Sequence, residues 1–155
     1  VVMGFGGGLI TVVYFVYGAA AVTGGGLAGV SADKFGPRPT LLTAIVLLGA
    51  CLLVIPHTSA PLALFWIVLV VWGVLSWSIT PPIQSPLVTV SPGTAAIQQS
   101  LNNAALHLGI ALGTLVGSVV IDQFSVRRNA VVGAFFVVIA LGTALVSLPN
   151  RRSVA

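Results

Sequence analysis

Residues 62–84 read LALFWIVLVVWGVLSWSITPPIQ, a run of 23 residues without a single charge. A helix needs about 20 mostly apolar residues to cross the hydrocarbon core of a bilayer, and this run is long enough. Working outward, four more runs of the same kind follow: residues 10–32 and 39–55 upstream, 94–121 and 129–148 downstream. The fold class expected is therefore all-α, a polytopic membrane helix bundle of five transmembrane helices. Residues 1–9 read as a loop or the frayed end of an earlier helix. The breaks are SADKFGPRPT (31–40), PHTSAP (56–61), SPLVTVSPG (85–93) and DQFSVRR (122–128), each rich in Pro, Gly or polar residues.

Composition excludes a soluble domain. Of 155 residues, 57% are hydrophobic and only 5% charged, whereas a soluble domain carries about 25% charged residues to wet its surface. Six Lys and Arg stand against two acids. A basic excess can mark a nucleic-acid binder, but these cations are scattered in the short breaks, where membrane proteins use them to set orientation; no nucleic-acid partner is expected. Lys34, Arg38, Arg151 and Arg152 fall on one side of the membrane and Arg127 and Arg128 on the other, so the first side reads as cytoplasmic. One cysteine, Cys51, permits neither an intrachain disulfide nor a Cys-based metal site and reads as a small buried hydrophobe. The chain opens at Val1 with no charged leader and no cleavage site, and is expected to be a fragment of a longer chain.

The five helices differ in polarity. The second and fifth hold nothing more polar than Thr43, Cys51, Thr143 and Ser147, and are expected outside, facing lipid all round. The other three carry amides, polar-tipped aromatics and a histidine, groups that in a membrane face protein or a wet cavity. At 100° per residue, Gly73, Ser76, Trp77, Thr80 and Gln84 share one arc of the third helix. On the fourth, Gln99, Asn103, His107, Thr114 and Ser118 form a polar stripe beside Asn102, Leu106, Gly109, Gly113 and Gly117, whose small-residue spacing lets another helix approach. On the first, Tyr14, Tyr17, Gly18, Ala21, Gly25, Ala28 and Gly29 share a face. Tyr14, Tyr17, Trp77, Gln84, Asn103 and His107 are thus candidates to line a path. His107 could relay protons, or bond to Asn103 one turn away and hold two helices together. Pro81 and Pro82 should kink or end the third helix.

The sharpest local signal is Gly29-Val-Ser-Ala-Asp33-Lys34-Phe-Gly36-Pro37-Arg38, of the form GxxxD[RK]xGx[RK] between two apolar helices. Gly29 allows close helix contact, Gly36 a tight turn, and Lys34 and Arg38 hold the segment at the charged side of the membrane. It resembles the loop signature of the major facilitator superfamily. Downstream, Pro81, Gln84, Pro92, Ser100, Asn103, Gly109, Gly113 and Gly117 are similar to the tenth and eleventh helices of that family's drug:proton antiporter branch, with its sugar, nucleoside and chloramphenicol exporters. Two positions depart: Pro37 stands where the family usually has Arg or Lys, and His107 where this branch often has Asn.

The resemblance implies that the five helices are numbers eight to twelve of a twelve-helix fold, and that the N-terminal half is a missing partner holding much of the proton-coupling machinery. It implies export of a small solute or drug in exchange for protons by alternating access, in a cell membrane of the bacterial inner-membrane type, with the lipid bilayer, protons and a small-molecule substrate as partners. Asp33 would latch the cytoplasmic side by meeting a helix end of the other half. An importer or facilitator of the same fold, or a small membrane scaffold packing through glycine faces, are the alternatives. No nucleophile–base pair, paired carboxylates or metal cluster is visible, so no enzyme, no catalytic residue, no metal and no cofactor are expected.

Overall fold

A computed structural model of the chain describes residues 7–57, 62–90 and 92–147. Six α-helices run in order, α1 Gly7–Phe35, α2 Pro37–Val54, α3 Leu62–Trp77, α4 Thr80–Val90, α5 Ala95–Gln123 and α6 Val126–Ser147, with single 3₁₀ turns at Ile55–His57 and Pro92–Thr94. The described residues contain no strand. Five stretches are long and apolar enough to cross a membrane, α3 and α4 together forming one of them, Leu62–Thr89. Arg151, Arg152 and most of the 56–61 turn lie outside the described residues.

The breaks are shorter than their sequences suggest. Where a ten-residue loop was expected at 31–40, α1 continues to Phe35 and α2 begins at Pro37, leaving Gly36 alone between them. Pro37 and Pro39 belong to the first turn of α2. Their missing N–H groups are ones that a first turn leaves unbonded anyway, so proline starts this helix instead of interrupting it. Asp33 and Lys34 are correspondingly on the last turn of α1. In the same way α6 starts at Val126, inside the expected 122–128 break.

The third span departs further. It does not run unbroken to Gln84: α3 ends at Trp77 and a new helix starts at Thr80. An uninterrupted helix would need N–H donors at Pro81 and Pro82 for the carbonyls of Trp77 and Ser78, and neither exists. Those prolines occupy the first turn of α4, where a donor is not required. The expected turn at 85–93 is mostly helix, because α4 runs to Val90 and accommodates Pro86 within it. At 1.5 Å per residue α3 alone covers about 24 Å, short of the roughly 30 Å hydrocarbon core. The full crossing therefore needs α4.

The helices pack in two rows. α1, α3 with α4, and α5 are neighbours in one; α2 and α6 form the other; α2 also meets α1, α3 and α4, and α5 meets α6. This corrects the expectation that the second and fifth helices face lipid all round, since α6 too buries Ala144 against α2. One face of α2 is buried, through Leu41, Ala44, Ile45 and Cys51. Only the opposite stripe, with Thr43, Val46, Leu47, Ala50 and Leu53, is open. Apolarity does not separate these two faces, since lipid and protein interior are equally apolar surroundings. Leu41, Ile45 and Ala144 make the core of the α2–α6 contact, with Ile79, Ile83, Val137 and Leu141 packed against it.

Small residues set the closest approach. Ala20, Gly24, Ala28 and Ala32, spaced four apart, are the buried stripe of α1. At Gly24 a β-carbon would overlap the backbone carbonyl of Val74 on α3, and at Gly73 one would lie 2.9 Å from the Ala20 β-carbon. Neither position has room for a side chain. The buried stripe is rotated from the face picked out by sequence: Gly18, Gly25 and Gly29 have open space where a β-carbon would be.

Candidate functional site

The connection at Gly36 is the best-defined part of the site. Gly36 is buried and takes φ 96° and ψ 156°, and no other described residue has positive φ. This is a region essentially reserved for glycine. It reverses the chain in one residue: the Gly36 N–H still bonds the Ala32 carbonyl at 2.9 Å, and the Gly36 carbonyl already accepts the Thr40 hydroxyl at 2.8 Å. Arg38 then reaches across the bundle, its guanidinium donating to the Leu145 carbonyl at 3.3 Å. Leu145 lies in the last turn of α6, whose carbonyls have no helical partner and carry the negative end of the helix dipole. The contact also places the turn and the C-terminal end of α6 on the same face of the membrane. Lys34 lies over the Phe35 ring, 5.3 Å from its centroid. Asp33 is exposed and makes no ion pair or hydrogen bond among the described residues.

The six path candidates do not form one enclosed site. Tyr14 is 72% exposed and Trp77, the last residue of α3, 46% exposed. Tyr17 turns inward instead: its ring stands 5.1 Å from that of Trp72, tilted by 39°, and its backbone and ring crowd Gly73. Tyr17 is therefore a joint between α1 and α3. Trp72 was not a candidate from sequence; its place next to Gly73 in the third span is the only signal of its partner. Gln84 is half-buried in α4, while Asn103 and His107 are exposed on α5. None of the six lines the α1–α2–α3 groove, the cavity between α2, α3 and α6, or the cleft between α1 and α3.

α5 has no buried residue. Gly109 and Gly113 have nothing within 4 Å of where a β-carbon would stand, and Gly117 alone meets a neighbour, Asn129 of α6, at 3.4 Å. The polar stripe on this helix divides in two. Thr114 and Ser118 satisfy their hydroxyls on the carbonyls of Ile110 and Leu115. Gln99, Asn103 and His107 make no side-chain hydrogen bond among the described residues, so the Asn103–His107 bond considered from sequence is not formed. Among the described residues no cluster of His, Cys, Asp or Glu is suited to a metal ion.

Apolar spans in two rows, joined by a glycine turn and bearing amides and aromatics on the outer surface of one row, define a polytopic membrane protein. The family model for the Major Facilitator Superfamily matches residues 2–155, and the chain belongs to that family. It is 27% identical over 140 residues to the uncharacterized MFS-type transporter YbcL of Bacillus subtilis, covering 90% of this chain and 36% of that protein. It is 27% identical over 141 residues to the uncharacterized MFS-type transporter YtbD of the same organism, covering 88% and 35%. With the inner membrane transport protein YdhP of Escherichia coli K12 it shares 30% identity over 113 residues, 73% of this chain and 29% of that one. The chain thus spans about a third of the length of these relatives. Family and relatives alike are transporters and not enzymes. No solved structure matches the chain.

Proposed function

We propose that this chain forms helices eight to twelve of a twelve-helix transporter in a bacterial inner membrane, which exports a small solute or drug in exchange for protons. The observation that carries this reading is the pair Asn103 and His107. Both sit within a membrane span, both are exposed, and neither makes a hydrogen bond among the described residues. Polar side chains left in lipid are costly, and in membrane proteins they face protein or water. A water-filled path between this bundle and a second one supplies that surrounding, and alternating access is then a rocking of the two bundles about the path.

The turn supports the same reading. Asp33 is exposed at the end of α1, without a partner among the described residues, on the face of the membrane where Arg38 ties α2 to α6. There it is available to a helix N-terminus of the other bundle, whose dipole favours a carboxylate. Export and proton exchange rest on the likeness of residues 81–117 to the drug:proton antiporter branch.

The test uses the full-length transporter in everted membrane vesicles, with radiolabelled chloramphenicol and a panel of nucleosides and sugars as probes. Energised vesicles accumulate a probe, and collapsing the pH gradient abolishes accumulation. Equilibration that ignores the pH gradient would instead support a facilitator, and uptake only into right-side-out vesicles an importer.

A further inference from the structure

The tight contacts of the bundle sort into two groups, and voids lie between the groups. α1 and α3 meet backbone to backbone at Gly24 and Val74, and the Tyr17 ring of α1 faces Trp72 of α3. α2 and α6 are joined as closely. A β-carbon at Gly49 of α2 would lie 2.9 Å from Val137 of α6, and Arg38 donates to the Leu145 carbonyl. α4 borders α1 and α5 as well, but Ile79 and Ile83 pack on the core of Leu41, Ile45 and Ala144, which ties it to α2 and α6. We infer that the α1–α3 pair and the α2–α4–α6 group are two bodies that shift against each other along a seam, with Gly36 and the Ser78–Ile79 break as the hinges. This is a movement inside one bundle, and it does not depend on which solute is carried or in which direction.

The seam is where packing opens. A groove of about 500 Å³ separates Ala28, Val74 and Leu75 from Thr43, Ala44 and Leu47 of α2. Toward the opposite end of the spans, a cavity of about 330 Å³ separates Phe65, Val68 and Trp72 of α3 from Leu52 of α2 and Asn129 of α6. Protein interiors are normally close-packed, with few voids larger than a water molecule. Side chains lining a void forgo the dispersion contacts that hold neighbours in register. Sliding along this seam therefore gives up less than sliding within either body.

The chain crosses between the bodies at places built to bend. Gly36 joins α1 to α2 through one residue, and two dihedrals there re-aim one helix against the other with no β-carbon to resist. α1 and α2 still touch around that turn, as bodies joined by a hinge do. At the break the change of body falls between adjacent residues. Ser78 bonds the Gly24 carbonyl of α1, whereas Ile79 packs against the α2–α6 core. Pro81 and Pro82 offer no N–H to the carbonyls of Trp77 and Ser78, so bending there sacrifices no helical hydrogen bond at either. Hinges of this kind are a few residues at element ends that absorb the change in backbone angles.

The test measures distances in the full-length transporter, with Cys51→Ala throughout and nitroxide labels on pairs of introduced cysteines in lipid nanodiscs. Val30, Ile67, Val54 and Val146 are exposed sites on α1, α3, α2 and α6. Val30→Cys with Ile67→Cys reports within the first body, and Val54→Cys with Val146→Cys within the second. Val30→Cys with Val54→Cys, and Ile67→Cys with Val146→Cys, cross the seam. Double electron–electron resonance should give cross-seam distance distributions broader than the within-body ones by about 1–2 Å, the size of a helix shear. Pro81→Ala, which returns a donor to the Trp77 carbonyl, should narrow the cross-seam distributions and leave the other two unchanged. Leu47→Phe, which fills the groove from an exposed position on α2, should do the same, and it keeps the test decisive if Pro81→Ala impairs folding. Cross-seam distributions as narrow as the within-body ones overturn the inference. So does equal narrowing of all four pairs in either variant, or no narrowing in both.

Discussion

Gly24 of α1 and Val74 of α3 bring two helix backbones into direct contact. A β-carbon at Gly24 would overlap the Val74 carbonyl, with the carbonyl carbon only 2.7 Å away. Backbone cannot move aside as a flexible side-chain tip can, so the helices themselves must separate. The same crossing carries the Ser78 hydroxyl, 2.7 Å from the Val74 carbonyl and 3.2 Å from that of Gly24. Among the described residues Ser78 is the buried polar side chain, and its position depends on that close approach.

Gly24→Ala should therefore destabilise the protein by about 1–3 kcal/mol, the usual range for overpacking. Gly25→Ala, one residue along, has open space for its methyl. It should be neutral or stabilising by up to about 1 kcal/mol, because alanine costs less to order in a helix than glycine. Thermal unfolding of the full-length protein in detergent checks both. Equal effects at the two positions would refute the contact.

Gly36→Ala should cost about 1–3 kcal/mol through backbone strain. Gly36→Asn discriminates between two kinds of glycine requirement. Asparagine tolerates the left-handed helical region, but ψ 156° at Gly36 lies far outside it. Asparagine should thus be no better than alanine in thermal unfolding. Rescue by asparagine would mean that the turn relaxes to an ordinary left-handed one.

Arg38 bonds a terminal carbonyl of α6 from the surface. Arg38→Ala should lose only about 0.3–1 kcal/mol, as expected for a cation at an exposed helix C-terminus. The loss should shrink in high salt as the interaction is screened. Chemical unfolding at low and high ionic strength measures the difference, and a salt-independent loss would point to packing by the side-chain stem instead.

How much of this was legible in sequence depends on which physical property carried the information. The spans are visible as apolar runs because crossing a bilayer demands length and apolarity together. Gly36 is visible because its neighbours announce a turn. The turn's single-residue length is not, since Pro37 and Pro39 read equally as loop residues and as first-turn residues. The 80–90 helix was hidden behind Pro81, Pro82 and Pro86 for the same reason. The packing of α2 was hidden because Leu41 and Leu47 are chemically alike, yet the first is buried and the second faces out. The rotation of α1 was hidden because its glycines and alanines fall on several faces, and only the helix opposite decides which of them is used. Among the path candidates, Tyr17 could not be assigned until Trp72 was seen across from it.

Pro81 tests the break in the third span. Pro81→Ala returns a donor for the Trp77 carbonyl and removes the ring that blocks helix continuity. One restored hydrogen bond is worth about 0.5–1.5 kcal/mol, so stability should hold or rise. Pro82 is the wrong choice for this test, because it is fully buried and truncation there would leave a cavity. If the break lets α4 bend against α3, Pro81→Ala should slow transport while raising the unfolding temperature. Unchanged transport would make the break a matter of shape alone.

Asn103 and His107 separate function from structure most cleanly. Neither side chain is buried or hydrogen-bonded among the described residues, so no named mechanism of large destabilisation applies to either. Asn103→Ala and His107→Ala should each leave stability within about 0.5 kcal/mol of wild type, the range for substitutions away from such features. Transport should nevertheless fall, through a raised KM if the residue contacts solute. His107→Gln keeps a hydrogen-bonding group and loses the imidazole. If His107 only contacts solute, this variant should recover much of the rate with the pH profile of the wild type. If it carries protons, the rate should stay low and its dependence on pH should flatten. Transport at wild-type rates in both alanine variants would show that this stripe of α5 meets protein in the assembled transporter, and that the path runs along another face.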